Sequence, residues 1–173
     1  MQSKLTRKLV LSGLFAALIC VVTLFVKFPV PGPSGAYVNA GDGVIYVAAL
    51  ALGGPWAAAA AGIGSMLADF LVGYPIYAPA TLIIKGLMGL VVGAALHGCK
   101  AGFARMLLFM VLGSVIMTVG YGVYELIVYD YTVALANLPY NLIQAGGGVV
   151  IGLLLALVVK RVIPESWMEE RAK

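Results

Sequence analysis

The chain has 173 residues, 62% of them hydrophobic, and a mean hydropathy of +1.05. Its eleven Lys or Arg and seven Asp or Glu mostly occupy the gaps between long apolar runs, which excludes an ordinary soluble domain and leaves no room for a large catalytic one. The net charge of +4 is spread in ones and twos beside apolar segments, a pattern of membrane topology and not of nucleic-acid binding.

In chain order, the basic stretch from Met1 to Lys8 and the apolar core from Leu9 to Val26 resemble the start of a signal peptide. The core is long and no small-residue cleavage site precedes Lys27, so a retained first helix over 8–28 is predicted. The following "FPVPGPSGAYVNAGD" holds three prolines and cannot continue as regular helix. A short second helix is predicted over 42–53, and Pro55 suits the opening of a third, Ala- and Gly-rich helix over 55–71. "GYPIYAP" makes a turn before helix 4 (79–97). "GCKAGFAR" leads into helix 5 (105–126), and "VYDYTVALAN" is read as the loop before helix 6 (138–159). The expected fold is all-α: a polytopic six-helix transmembrane bundle forming one integral membrane domain over 1–173.

With six crossings and a cytoplasmic N-terminus, nine of the eleven basic residues fall on the cytoplasmic side: Lys4, Arg7, Lys8, Lys100, Arg105, Lys160, Arg161, Arg171 and Lys173. Both termini are therefore expected in the cytoplasm of a prokaryotic plasma membrane. Cys20 and Cys99 lack metal-site spacing and are read as free thiols. His97 is isolated from nucleophiles and metal ligands, so no catalytic residue, metal or cofactor is expected.

Glycine is frequent, at 22 residues, and small side chains let membrane helices approach closely. Gly13 with Ala17, and Ala16 with Cys20, form two overlapping small-xxx-small pairs on helix 1. They suit either internal packing or docking onto a second membrane protein.

The polar residues inside the apolar runs are the most informative. Asn137, Asn141 and Gln144 recur at i, i+4 and i+7, on one helical face that must point into the bundle or an aqueous cavity. Interhelical bonding, ligand contact and, for Asn137, an N-cap before Pro139 are all open readings. Lys85 lies one turn after Thr81 and either snorkels, pairs with an acid or meets a ligand. Its candidate partners are Asp42, Asp69 and Glu125. Under the six-helix topology Asp42, Asp69, Lys85, Glu125, Asn137 and Asn141 share one depth toward the outside, where they would line a pocket. Tyr37, Tyr46, Tyr74, Tyr77, Tyr121, Tyr124 and Tyr140 are expected on the same side, as an interfacial belt or as stacking surfaces for a flat ring. The segment from Pro29 to Gly41 is a lid or a passive connector, and Asp42 is placed to favour the start of helix 2.

The stretch from Tyr37 to Gly93 resembles the substrate-binding S component of energy-coupling factor (ECF) vitamin transporters. The matching features are Gly41-Asp42-Gly43, Gly53-Gly54-Pro55, Ala68-Asp69, Tyr74-Pro75, Tyr77-Ala78-Pro79 and Lys85-Gly86. The layout matches over nearly the whole chain, nearest to the riboflavin, hydroxymethylpyrimidine and pyridoxine branch. The resemblance implies a membrane-embedded subunit that binds a small vitamin or precursor from outside with high affinity. It further implies partners: a transmembrane T component and two cytoplasmic ATPase subunits whose ATP hydrolysis drives release. No nucleotide-binding loop occurs in this chain, as expected if the energy comes from partners. The implied substrate-binding positions are Asn39, Asp42, Tyr77, Lys85, Tyr121, Glu125, Asn137, Asn141 and Gln144. The implied docking positions are Gly13, Ala16, Ala17 and Cys20. Competing readings are a stand-alone secondary transporter, for which no internal repeat is evident, and a structural membrane protein without a small ligand.

Overall fold

A computed structural model describes residues 2–31, 37–98 and 102–162. Cys99, Lys100, Arg171, Lys173 and the middle of the Pro-rich segment (32–36) lie outside the described residues, as do the side chains of Lys160 and Arg161. Among the described residues there are six helices: α1 (Gln2–Phe25), α2 (Gly41–Leu52), α3 (Gly54–Val72), α4 (Ala78–Leu96), α5 (Phe103–Val128) and α6 (Tyr131–Val162). Five of them, all except α2, are long and apolar enough to cross a membrane. At 1.5 Å per residue the 12-residue α2 extends about 18 Å, short of the roughly 30 Å hydrocarbon core.

The short helix is nonetheless the centre of the bundle. It packs against α1, α3, α4 and α6, and ten of its twelve residues are buried. A helix that is apolar on all sides reaches this state only when other helices surround it. Glycines permit the close approach. A Cβ on Gly148 of α6 would stand 2.8 Å from Asp42 Cβ, and one on Gly152 would stand 2.5 Å from the Tyr46 ring. Between α3 and α4 the neighbours are backbone atoms: a Cβ on Gly89 would lie 2.7 Å from the Ala57 carbonyl oxygen, and one on Gly62 2.7 Å from that of Leu82. The α2–α3 joint turns at Gly53, whose φ of 84° is a left-handed conformation that favours glycine.

Three expectations are corrected. Helix 1 ends at Phe25 and not near residue 28, because Lys27–Pro29 forms strand β1, antiparallel to β2 (Tyr37–Asn39). The backbone before a proline is biased away from helix, so Phe28-Pro29 suits this small strand pair. Helix 6 starts at Tyr131, seven residues before the predicted start at 138, and only Tyr129 and Asp130 separate it from α5. Asp130 Oδ1 accepts the Val133 N–H at 2.9 Å and so satisfies a first-turn donor. Asn137 is consequently inside the helix and does not cap it, and Pro139 lies within α6. Finally, Tyr46 is not on the polar side with the other tyrosines. It is fully buried in the core, donating to the Met110 carbonyl at 2.7 Å and lying 2.6 Å from Ser114 Oγ.

Candidate ligand-binding site

The buried stripes of the helices are polar at one end of the bundle and apolar at the other. On α4, Thr81 and Lys85 are followed on the same face by Met88, Val92 and Leu96. On α5 the order is reversed, from Met106 and Met110 to Glu125, as the antiparallel course of neighbouring helices requires. The polar ends converge on a cavity beside the β1–β2 hairpin. Thr23, Tyr37, Asn39, Ser65, Asp69, Tyr77, Thr81, Lys85, Tyr121, Glu125, Asn141 and Gln144 line it. Free space there is about 480 Å³ when its open mouth is counted.

At the cavity floor, Lys85 Nζ pairs with Asp42 Oδ1, and both side chains are almost fully buried. Asp42 Oδ2 accepts from Gln144 Nε2 at 2.9 Å. Gln144 Oε1 in turn accepts the Asn39 backbone N–H at 3.0 Å. This chain of contacts links α4, α2 and α6 to strand β2. The carboxylate and the ammonium satisfy one another, which is what permits either to sit in this interior. Lys85 Nζ also lies 5.5 Å from the Tyr121 ring centroid, within cation–π range.

The hairpin is tied down a second time at Tyr37. Its hydroxyl donates to Asp69 Oδ1 at 2.5 Å, and its ring stacks on Tyr74 with centroids 5.6 Å apart. Burial and the neighbouring Asp69 push the Tyr37 phenol well above its ordinary pKa, so it remains a donor. On the opposite wall, Glu125 Oε1 accepts from Asn137 Nδ2 at 2.8 Å and from the Tyr77 hydroxyl at 3.3 Å. The Tyr77 ring lies 6.3 Å from Tyr121, 5.5 Å from Tyr124 and 6.2 Å from Tyr129.

Three buried polar atoms in the lining have no hydrogen-bond partner: Asp69 Oδ2, Glu125 Oε2 and Asn141 Nδ2. An unpartnered buried polar atom costs about 1–3 kcal/mol, so three in one cavity are a large deficit for a purely structural arrangement. The cavity lining includes Asn39, Tyr77, Lys85, Tyr121, Glu125, Asn141 and Gln144 from the sequence-based set. Asp42 and Asn137 are outside the lining and hold Lys85, Gln144 and Glu125 in place. Thr23 and Ser65 carried no sequence signal beyond being polar within apolar runs. Thr23 could have been found from its place one turn before Lys27 at the helix 1 exit. The helix 1 positions divide between two directions. Gly13 and Ala17 are exposed, Ala16 is half-buried with its backbone against Gly64 of α3, and Cys20 is buried.

A family model described as the S component of the ECF-type riboflavin transporter matches residues 3–161. The chain belongs to the ECF transporter S components. An uncharacterized protein of Pyrococcus woesei is 37% identical over 143 residues, covering 83% of this chain and 95% of that protein. The thiamine precursor transporter HmpT of Lactococcus lactis subsp. cremoris is 30% identical over 166 residues, covering 96% of this chain and 93% of HmpT. S components are transport subunits and not enzymes. The five spanning-length helices agree with that membrane role.

Proposed function

We propose that this chain is the ligand-capturing subunit of an ATP-driven ECF transporter and takes up a small vitamin precursor. The observation that carries this reading is the cavity with its three unpartnered polar atoms, set among tyrosine rings and beside a hairpin that contributes Tyr37 and Asn39 to its lining. Polar groups that converge in a concave, aromatic-lined site fix the orientation of a small molecule. Likeness to HmpT across almost the whole chain supports a precursor-sized ligand.

In this reading Asn39, Tyr77, Lys85, Tyr121, Glu125, Asn141 and Gln144 contact the ligand, while Asp42 and Asn137 position those side chains. The hairpin acts as the lid. Two of its ties, Asn39 to Gln144 and Tyr37 to Asp69, end on side chains of the cavity. Opening the lid would therefore free binding groups, and closing it would exclude water and strengthen polar contacts beneath it. The hairpin faces the outside, and both termini lie in the cytoplasm, as the clustering of basic residues suggests. The exposed Gly13 and Ala17 supply a low-profile face on α1 for a transmembrane T component, which couples to two ATPase subunits.

The test is reconstitution in liposomes. The chain alone is expected to bind ligand without accumulating it, and ATP-dependent uptake should require the T component and ATPases. Concentrative uptake by the chain alone, driven by an ion gradient, would replace this reading with secondary transport. The absence of any saturable ligand would favour a structural role.

A further inference from the structure

Helix α2 carries only two side chains able to hydrogen-bond, Asp42 and Tyr46; its other residues are Gly, Val, Ile, Ala and Leu. The two stand four residues apart and so share one face. Asp42 reaches the cavity floor, where it holds Lys85 and Gln144. Tyr46 lies one turn further toward the apolar end, outside the cavity lining, and is fully buried. Its ring occupies a slot that two glycines leave open: a Cβ would stand 3.1 Å from the ring on Gly113 of α5, and 2.5 Å from it on Gly152 of α6. Its hydroxyl donates to the Met110 carbonyl of α5 at 2.7 Å and lies 2.6 Å from Ser114 Oγ. Ser114 Oγ in turn donates to the Ala145 carbonyl of α6 at 3.2 Å, and Ala145 is the residue after Gln144. Tyr46, Ser114 and Ala145 thus join α2, α5 and α6 about one turn from the Asp42–Gln144 contact. Apolar contact is non-directional, so the aliphatic side chains of α2 hold it in the bundle without fixing its height or rotation. A buried hydrogen bond does fix them, because a slip strands the hydroxyl in an apolar interior. Setting register is the best-attested use of a buried polar contact among apolar ones.

We infer that Tyr46 is a positioning residue for ligand capture: bonded to α5 beside the Ser114–Ala145 bridge, it fixes α2 against α6 and so holds Asp42 where it orients Lys85 and Gln144. This inference rests on the proposed ligand-binding function and extends it to a residue outside the cavity. Both side chains that Asp42 holds line the cavity, and Gln144 also accepts the Asn39 N–H of the hairpin. Hydrogen bonds weaken steeply as their geometry departs from linear. A small slip of α2 therefore misdirects the Lys85 ammonium and loosens Gln144, and with Gln144 the hairpin. The expected signature is faster release of ligand. Tyr46→Phe keeps the ring in its slot and removes only the hydroxyl that sets the register.

The test begins with the full chain in detergent, titrated with hydroxymethylpyrimidine, pyridoxine, thiamine and riboflavin. The tightest binder of the wild-type chain then serves as the probe for calorimetry and stopped-flow release. Tyr46→Phe, checked for intact thermal unfolding, is expected to weaken the probe about fivefold, the loss of one neutral hydrogen bond, with most of the change in the off-rate. In a Gln144→Ala background the same substitution should change the off-rate by less than about twofold, because the hairpin tie through which Tyr46 acts is already gone. Gly89→Ala destabilises the apolar end and lies outside the cavity, so its unchanged affinity separates positioning from general loss of stability. Ser114→Ala removes the bridge to Ala145 and should also speed release; it carries the test if Tyr46→Phe does not fold. Wild-type affinity and off-rate in the folded variants overturn the inference and leave the ligand-binding function in place. An equal effect of Tyr46→Phe with and without Gln144, or an equal loss in Gly89→Ala, overturns it as well, since the effect is then one of general packing. Failure of the folded wild-type chain to bind any of the four compounds overturns the inference together with the function beneath it.

Discussion

The two ends of this bundle are built on the same six helices by opposite rules. At the end away from the hairpin, the buried positions are Leu52, Met88, Val92, Leu96, Met106 and Met110, and the interior is filled by apolar side chains. Helices α3 and α4 meet there so closely that Gly93 has backbone atoms of Gly53 and Gly54 2.8 Å from the place of a Cβ. At the hairpin end the same faces carry Asp42, Asp69, Lys85, Glu125, Asn137 and Gln144, all nearly buried. The first end gains stability from dispersion and close backbone contact. The second gives some of it up by enclosing charges and leaving polar atoms unpartnered. Under the proposed function, such an end, kept when apolar packing is available a few turns away on the same helices, serves binding.

That contrast can be broken most strongly at the ion pair. Lys85→Ala leaves Asp42 buried without its cation, and thermal unfolding in detergent should report a loss of about 3–5 kcal/mol. Adding Asp42→Ala should recover much of this stability without recovering ligand binding. Full stability in the single variant would show that the pair does not carry this end of the bundle.

The apolar end gives the converse. Gly89→Ala pushes a methyl group against the Ala57 carbonyl and should cost about 1–3 kcal/mol. Ligand affinity in the folded fraction should be unchanged, because Gly89 is outside the cavity lining. A selective loss of affinity would mean that the two ends are more tightly coupled than their chemistry implies.

Gln144→Ala sharpens the comparison within the polar end. It removes the acceptor for the Asn39 N–H and the donor to Asp42, at an expected stability cost of about 1–3 kcal/mol. Its larger signature should be kinetic: the hairpin loses its tie to α6, so bound ligand should leave faster in stopped-flow dissociation. An unchanged off-rate would argue that the hairpin does not gate the site.

The smallest effects are expected on the outer surface. Gly146→Ala meets open space and should alter stability by less than about 0.5 kcal/mol, although Gly148 two residues later abuts Asp42. Ala17→Leu on the exposed face of α1 should likewise spare folding and ligand affinity. If that face docks the T component, co-purification with it should fall sharply; an intact complex would move the docking face elsewhere.

Much of this protein was legible from residue order. Apolar runs of spanning length, broken by Pro and Gly, specified the helices. The i, i+4, i+7 spacing of Asn137, Asn141 and Gln144 placed three amides on one face. Lys85 and the three intramembrane acids stood out because isolated charges are costly in an apolar interior. Their depth followed from counting turns along antiparallel helices, which is a one-dimensional calculation.

What only the tertiary structure decided was partnership. Asp42, Asp69 and Glu125 were equal candidates for Lys85 in the sequence, and the close packing of α2 with α4 and α6 selected Asp42. Spacing put Gly148, four residues after Gln144, on the buried face of α6 and Gly146 and Gly147 off it, but only the structure showed that Gly148 meets Asp42 of α2. The β1–β2 hairpin and the early start of α6 were hidden because three-residue strands carry almost no periodic signal and Pro139 imitated a helix start. Sequence fixes how polar each position is and how deep it lies. Which polar atoms find one another, and which remain unpartnered, depends on distances across helices far apart in the chain.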